Sequence, residues 1–231
     1  MLRRINNLLL IGVGHVLPKS LEKVKTKILE ERPEIVAVEL CPVRYAALTG
    51  GMGKGGGSPA SPLSWLLGLV QDRFSSQTGM PAGREMITAI DGATQVGASI
   101  LLIDQNIFAT MERLRSLVPL REKFMLFVQI LLALLPLHRK INLETLTEEA
   151  VAQNLIEDFR RFFPTAARIL IDERDEYMVM KLLPLLASGK RIVCVVGAAH
   201  IFGMERLLAE NLRETEKKVW WREKIEFKGG Q

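Results

Sequence analysis

Four short apolar runs constrain this chain more than any other feature: residues 8–13 (LLLIGV), 35–40 (IVAVEL), 99–104 (SILLID) and 191–196 (RIVCVV). Each is apolar at nearly every position rather than at alternate ones, the pattern of strands buried on both faces of a parallel sheet. Helical periodicity fills the connections. Residues 21–31 put Leu21, Val24 and Ile28 on one face, with Ser20 as the candidate cap and Pro33 closing the connection to the second run. Residues 82–97 read as a helix before the third run. Residues 111–137 and 143–188 read as long helical stretches broken near Pro119, Pro136, Pro164 and Pro184. The expected fold is α/β: a mostly parallel central sheet, helices on both faces, and a helical middle over 111–188 forming a cap or side layer. A length of 231 residues at 48% hydrophobic content suits one sizeable core and hardly two, so 1–231 is read as a single domain.

Charge and cysteine usage narrow the partners. The net charge is +5, but basic residues are interspersed with acidic ones and aromatics make up only 6%, so no nucleic-acid stripe is expected. A solvated surface is the preferred reading of that charge, and an acidic partner or anionic membrane surface the other. Cys41 and Cys194 stand alone, outside any CxxC, which fits the reducing cytosol and no disulfide framework. The start resembles a short signal peptide, yet its apolar run passes straight into Gly12-Val13-Gly14-His15 without a small-residue cleavage site; a first buried strand is preferred. Residues 124–137 are apolar almost all round but fall short of the roughly 20 needed to span a bilayer. They are read first as a buried helix, then as a helix packed on a second subunit, then as an interfacial helix on a membrane surface. A homodimer is expected because the segment needs a partner. Residues 217–227, with Trp220 and Trp221 among charges, are read as a last strand with a half-buried aromatic face. The Gly-rich residues 50–62 fail as a P-loop because Lys54 is followed by Gly55, and are read as a flexible loop.

The polar residues fall where the strands end. His15 follows the first run, Glu39 closes the second, Asp104-Gln105-Asn106 ends the third, and Gly197-Ala198-Ala199-His200 follows the fourth. Ligands of open parallel sheets bind outside the carboxyl ends of the strands, so these residues mark one candidate cleft. Glycines beside both histidines would permit a tight turn and close backbone approach.

The same residues resemble a known family. GVGH (12–15) and GAAH (197–200) are similar to its paired GxxH motifs, and VELCPVRY (38–45) to its VELDxxRY. GREM (83–86) resembles GxEM, LLIDQNIFATMER (101–113) resembles LiDRDIxxTxxR, and DERDEYM (172–178) resembles ERDxYM. They run in the expected order from about Gly12 to Gly203, and together resemble the TraB/PrgY family, within the wider group of Tiki proteases, erythromycin esterases and ChaN-like proteins. The resemblance implies an α/β fold with histidines and glutamates lining a cleft. In the Tiki branch it implies metal-dependent peptide hydrolysis, and in the PrgY branch suppression of a peptide pheromone. Longer members carry membrane helices after this domain, so the chain is read as a naturally soluble form or an excised domain.

Carried over residue by residue, the resemblance points to His15, Glu39, Arg44, Glu85, Glu173, Arg174, Asp175 and His200. His15 and His200 are the expected metal ligands, with Glu39 and Glu85 as further ligands or general base; Arg44 and Arg174 orient substrate. Asp104, Gln105, Asn106, Glu173 and Asp175 are the candidate substrate-binding residues. Two imidazoles with one or two carboxylates suit Mn, Fe, Co or Zn better than Ca or Mg. Such a metal would acidify bound water and polarise an amide carbonyl.

The departures are Cys41 in place of a carboxylate, and Gln105 and Asn106 in place of Arg and Asp. Gln cannot supply the charge of a two-point clamp. A metal-dependent hydrolase of peptide or amide bonds therefore stands beside a non-catalytic binder of a peptide or haem-like ligand. A membrane-associated scaffold using residues 124–137 is a third reading. The structural alternatives also stay open. His15 and His200 can be histidines bonded to backbone, His138 a helix-end surface residue, and Glu173-Arg174-Asp175 either a surface charge cluster or an internal salt-bridge network. Cys41 is either a nucleophile or soft ligand, or a small buried residue, the second preferred; Cys194 is read as core.

Overall fold

The last of the four apolar runs lies at the centre of the sheet. In the computed structural model the strands are β1 (Leu2–Ile5), β2 (Leu8–Val13), β3 (Ile35–Val38), β4 (Ser99–Leu102) and β5 (Ile192–Gly197), in the order β1-β2-β5-β3-β4. All pairs except β1–β2 are parallel. The structure describes residues 1–14, 18–50, 83–134 and 148–228. His15, His138 and the Gly-rich segment beyond Gly50 lie outside them.

Burial on both faces explains why the runs show no alternation. On one face Leu9, Ile11, Val36, Val38, Val193 and Val195 meet Val24 and Ile28 of α1 (Pro18–Glu31). Met86, Ala89, Ile90 and Ala93 of a later helix complete that layer. On the other face Leu8, Leu10, Ala37, Cys194 and Val196 meet Met178, Val179 and Leu182, with Ile201, Met204 and Leu208 beside them. Successive residues point to opposite layers, and both layers are apolar. The expected three-layer α/β architecture is present.

After β3, α2 (Pro42–Leu48) leads toward the segment outside the description, and α3 (Arg84–Val96) precedes β4. Then come α4 (Ile107–Leu117), α5 (Leu120–Leu134), α6 (Glu148–Phe162) and the short α7 (Pro164–Ala167). One π-helical turn, Arg168–Asp172, joins α7 to α8 (Glu173–Ala187). After β5 a 3₁₀ turn, Ala198–His200, opens α9 (Ile201–Lys228). The expected side layer is built from α4 to α7 around a separate cluster of Leu114, Val118, Phe163, Ala166 and Ile169. Buried Glu122 of α5 accepts the backbone N–H groups of Thr165 and Ala166 (3.3 and 3.1 Å), capping α7 and fixing the start of the path into α8.

Several local expectations are corrected. Strand β1 was not foreseen: Asn6 takes φ +50, which Asn tolerates, and Asn6-Asn7 turns the chain into a hairpin pairing Ile5 with Leu8. Helix α1 begins at Pro18, so Ser20 lies inside it and is not its cap. Pro184 sits inside α8 without ending it. Residues 217–227 continue α9 and form no strand, and β1 and β4 already edge the described sheet. Helix α5 is not buried all round. Met125 and Leu126 pack on the side-layer cluster, whereas Phe124 and Phe127 are 68% and 49% exposed. Among the described residues no helix is long and apolar enough to cross a membrane.

Gly12 serves close packing rather than a turn. It lies within β2, and a Cβ there would stand 2.3 Å from Ile201 Cγ1. The first residue of α9 thus packs directly on the first glycine motif. Gly12→Ala is expected to lower the urea midpoint with unchanged slope, at a cost of about 1–3 kcal/mol. An unaltered midpoint would mean that Ile201 moves aside freely.

Candidate functional site

The sheet ladder runs past the strand ends and delivers two carboxylates to one place. The Glu39 N–H bonds to the Val195 carbonyl (3.1 Å), Ile103 N–H to the Val38 carbonyl (3.1 Å) and Asp104 N–H to the Leu40 carbonyl (3.2 Å). Glu39 and Asp104 are both buried, and neither backbone is free to swing away. From the neighbouring β5, Gly197 gives its N–H to Glu39 Oε2 at 2.6 Å. Gly197 is in extended conformation, φ −59 and ψ 147, so this glycine makes no left-handed turn.

Arg174 fills the space between the two carboxylates. Its Nε and Nη2 bond Asp104 Oδ1 and Oδ2, each at 2.9 Å, and Nη2 also holds Glu39 Oε1. Nη1 donates to the Leu170 carbonyl (3.0 Å) inside the π turn. An added residue in a helical turn re-aims every side chain after it, and π turns recur at functional sites for that reason. Asp104 is saturated: Gln105 N–H reaches Oδ1 at 2.8 Å and Arg44 Nη1 of α2 reaches Oδ2 at 3.2 Å. The Arg44 side chain is one-third exposed and is where this network meets solvent.

His200 completes the cluster. Its Nδ1 lies 2.6 Å from Asp175 Oδ1 and its Nε2 3.3 Å from Glu39 Oε1. Burial works against a charged imidazole, but Glu39 and the Asp175 bond outweigh it and His200 is pushed up to about 9. Both ring nitrogens face carboxylate oxygens, an arrangement that favours the charged form of the ring. Burial likewise raises the Glu39 carboxyl, yet His200, Arg174 and the Gly197 N–H together hold it well below the usual carboxylate range. For Asp175 burial wins over His200, and its carboxyl is raised. Burial, then Glu39, pushes the Cys194 thiol up, so it stays a protonated core residue as expected. Cys41 is fully buried just before α2.

Of the residues singled out from sequence, Glu39, Arg44, Asp104, Gln105, Arg174, Asp175 and His200 come together here. Glu173 stands at the rim, held by Arg113 through two bonds of 2.8 and 2.7 Å, and its carbonyl accepts from Gln105 Nε2 (3.3 Å). Asn106 is exposed and caps α4, its side chain accepting from Phe108 N–H at 2.9 Å. Glu85 is buried in the first turn of α3, behind Gly83. That glycine has φ +93, and a Cβ on it would lie 2.9 Å from Leu48 Cδ1. His15 lies outside the described residues. Of the two readings of Glu173-Arg174-Asp175, the internal network is the one present. Unforeseen were the Gly197 N–H, the Leu170 carbonyl and the pairing of Asp175 with His200. Arg113 was within reach of sequence, since it ends the LLIDQNIFATMER match.

As arranged, Glu39 and His200 do not fit a divalent cation. Oε2 accepts from the Gly197 N–H, and Oε1 faces both the Arg174 guanidinium and His200 Nε2, so a metal between Glu39 and His200 would have to displace the guanidinium and part the two side chains. What the cluster can do is hold a charged proton donor in fixed orientation beside a solvent-reaching arginine.

The chain is 29% identical over 215 residues to Uncharacterized protein MJ1365 of Methanocaldococcus jannaschii, covering 86% of this chain and 52% of that protein. It thus spans about half the length of the curated relative it matches. The model of the TraB/PrgY/gumN family matches residues 4–219, nearly the whole chain and every residue of the cluster, and the chain belongs to that family.

Proposed function

We propose that the cleft hydrolyses a peptide or amide bond with His200 as the proton donor. The observation that carries this reading is the buried imidazole at the carboxyl edge of the sheet, held on Nδ1 by Asp175 and facing Glu39 with Nε2. Cleaving an amide requires a proton on the nitrogen as the tetrahedral adduct formed by water collapses and the C–N bond breaks, and a positioned general acid supplies it. Asp175 and Glu39 keep the ring charged and oriented. Arg44, with guanidinium donors left over from Asp104, offers a hold on a ligand carboxylate. The resemblance implies Glu85, buried in the first turn of α3, as the further candidate for the general base that takes the water's proton.

The test is turnover of a peptide mixture followed by mass spectrometry, with metal content measured on the same samples. His200→Gln is expected to lower turnover by about 10²–10⁴-fold. Unchanged turnover would sink the reading. Near-stoichiometric Mn, Co, Fe or Zn, lost in His200→Ala, would restore the metal centre expected from the resemblance. A second reading, a binder of a small peptide or haem-like ligand, is favoured by one observation: every oxygen of Glu39 and Asp104 already has a donor. Calorimetric binding without turnover would select it.

A further inference from the structure

Asp175 is 1% exposed and bonds His200 through Oδ1, while Oδ2 has no hydrogen-bond partner among the described residues. That second oxygen lies against Gly203, in the first turn of α9. A Cβ on Gly203 would stand 1.8 Å from Oδ2 and 2.9 Å from Cγ. The Cγ distance matters most, because rotating the carboxylate about its own bond cannot relieve it. The whole group would have to withdraw, taking Oδ1 off His200. Glycine is among the poorest helix formers, and α9 gains nothing from having one there. The early helix position also places a carboxylate at the positive end of the helix dipole, which suits an oxygen without a discrete donor.

We propose that Gly203 is a positioning residue for His200, its missing side chain being what lets Asp175 come up beneath α9 and take hold of the imidazole. The inference deepens the proposed function and rests on that reading for what the contact is used for; the contact itself is tested without substrate. The chain has three histidines, so the downfield Nδ1–H proton of His200 can be assigned in imidazole-labelled protein by its loss in His200→Gln.

Gly203→Ala is expected to lose that resonance and to lower Tm by roughly 4–10 °C. In an Asp175→Ala background the same change is expected to be neutral or to raise Tm, since the clash is gone and alanine favours the helix. If Gly203→Ala does not fold, comparing Asp175→Ala with Asp175→Ala/Gly203→Ala still decides the matter. A resonance that persists in Gly203→Ala, or a Tm loss of equal size in both backgrounds, overturns the proposal. Absence of turnover in the wild type would remove the hydrolase reading and leave these readouts unmoved.

Discussion

Arg174→Met is expected to destabilise the protein by about 3–5 kcal/mol, because it leaves Glu39 and Asp104 buried without the cation between them. For a chain of this length that is a Tm loss of roughly 6–20 °C. The size reflects orphaned charge rather than the intrinsic worth of the ion pairs, since a buried network as a whole sits near balance against desolvation. Two controls follow from that distinction. Adding Glu39→Gln and Asp104→Asn to Arg174→Met should recover most of the loss. Arg174→Lys should recover little, because one ammonium cannot reach Glu39, both Asp104 oxygens and the Leu170 carbonyl together. A Tm loss in the triple variant as large as in Arg174→Met would show that the guanidinium matters through packing alone.

The second large effect is a fall in stability on the alkaline side. His200 titrates at 6.5 in an unfolded chain and at about 9 in the fold, so the folded state holds its proton longer. Its contribution is fully present below pH 6.5 and disappears as pH rises to 9, by on the order of 3 kcal/mol. Glu39 acts in the opposite sense. Its carboxyl is depressed in the fold, so its contribution is present above its ordinary 4.5 and is lost as pH falls. Asp175, raised by burial, trims stability slightly as it ionises. Stability should therefore peak between about pH 4.5 and 6.5, and urea midpoints across pH 4–9 measure it. His200→Gln should flatten the alkaline limb. An alkaline slope that survives this substitution would assign it to another group.

How far the site could be read from sequence depends on which residues are fixed by local pattern. Glu39, Asp104 and His200 were legible because each lies at or just beyond the carboxyl end of an apolar run, and strand ends converge in any parallel sheet. Arg174 and Asp175 were legible only as part of a motif. Their orientation depends on the π turn at Arg168–Asp172, an irregularity that the helical periodicity of the surrounding residues conceals. Gly203 reads as an ordinary helix blemish until Asp175 is seen against it. Strand β1 is hidden because Leu2–Ile5 is half arginine and gains its order from β2, and in the tail from 217 the paired tryptophans among charges suit a strand as readily as the helix that forms.

The position of β5 has a consequence for how the protein comes into being. Until residues 192–197 have been made, only β1–β2 and β3–β4 have their neighbours in the sheet order, and each such pair would leave an open edge where β5 belongs. Such edges recruit strands from other molecules, and long-range parallel pairing is slow to form. The closing strand also brings Gly197 and His200, so the sheet and the charged cluster are completed in one late event. Neither the sheet nor the charged cluster can be complete before the other.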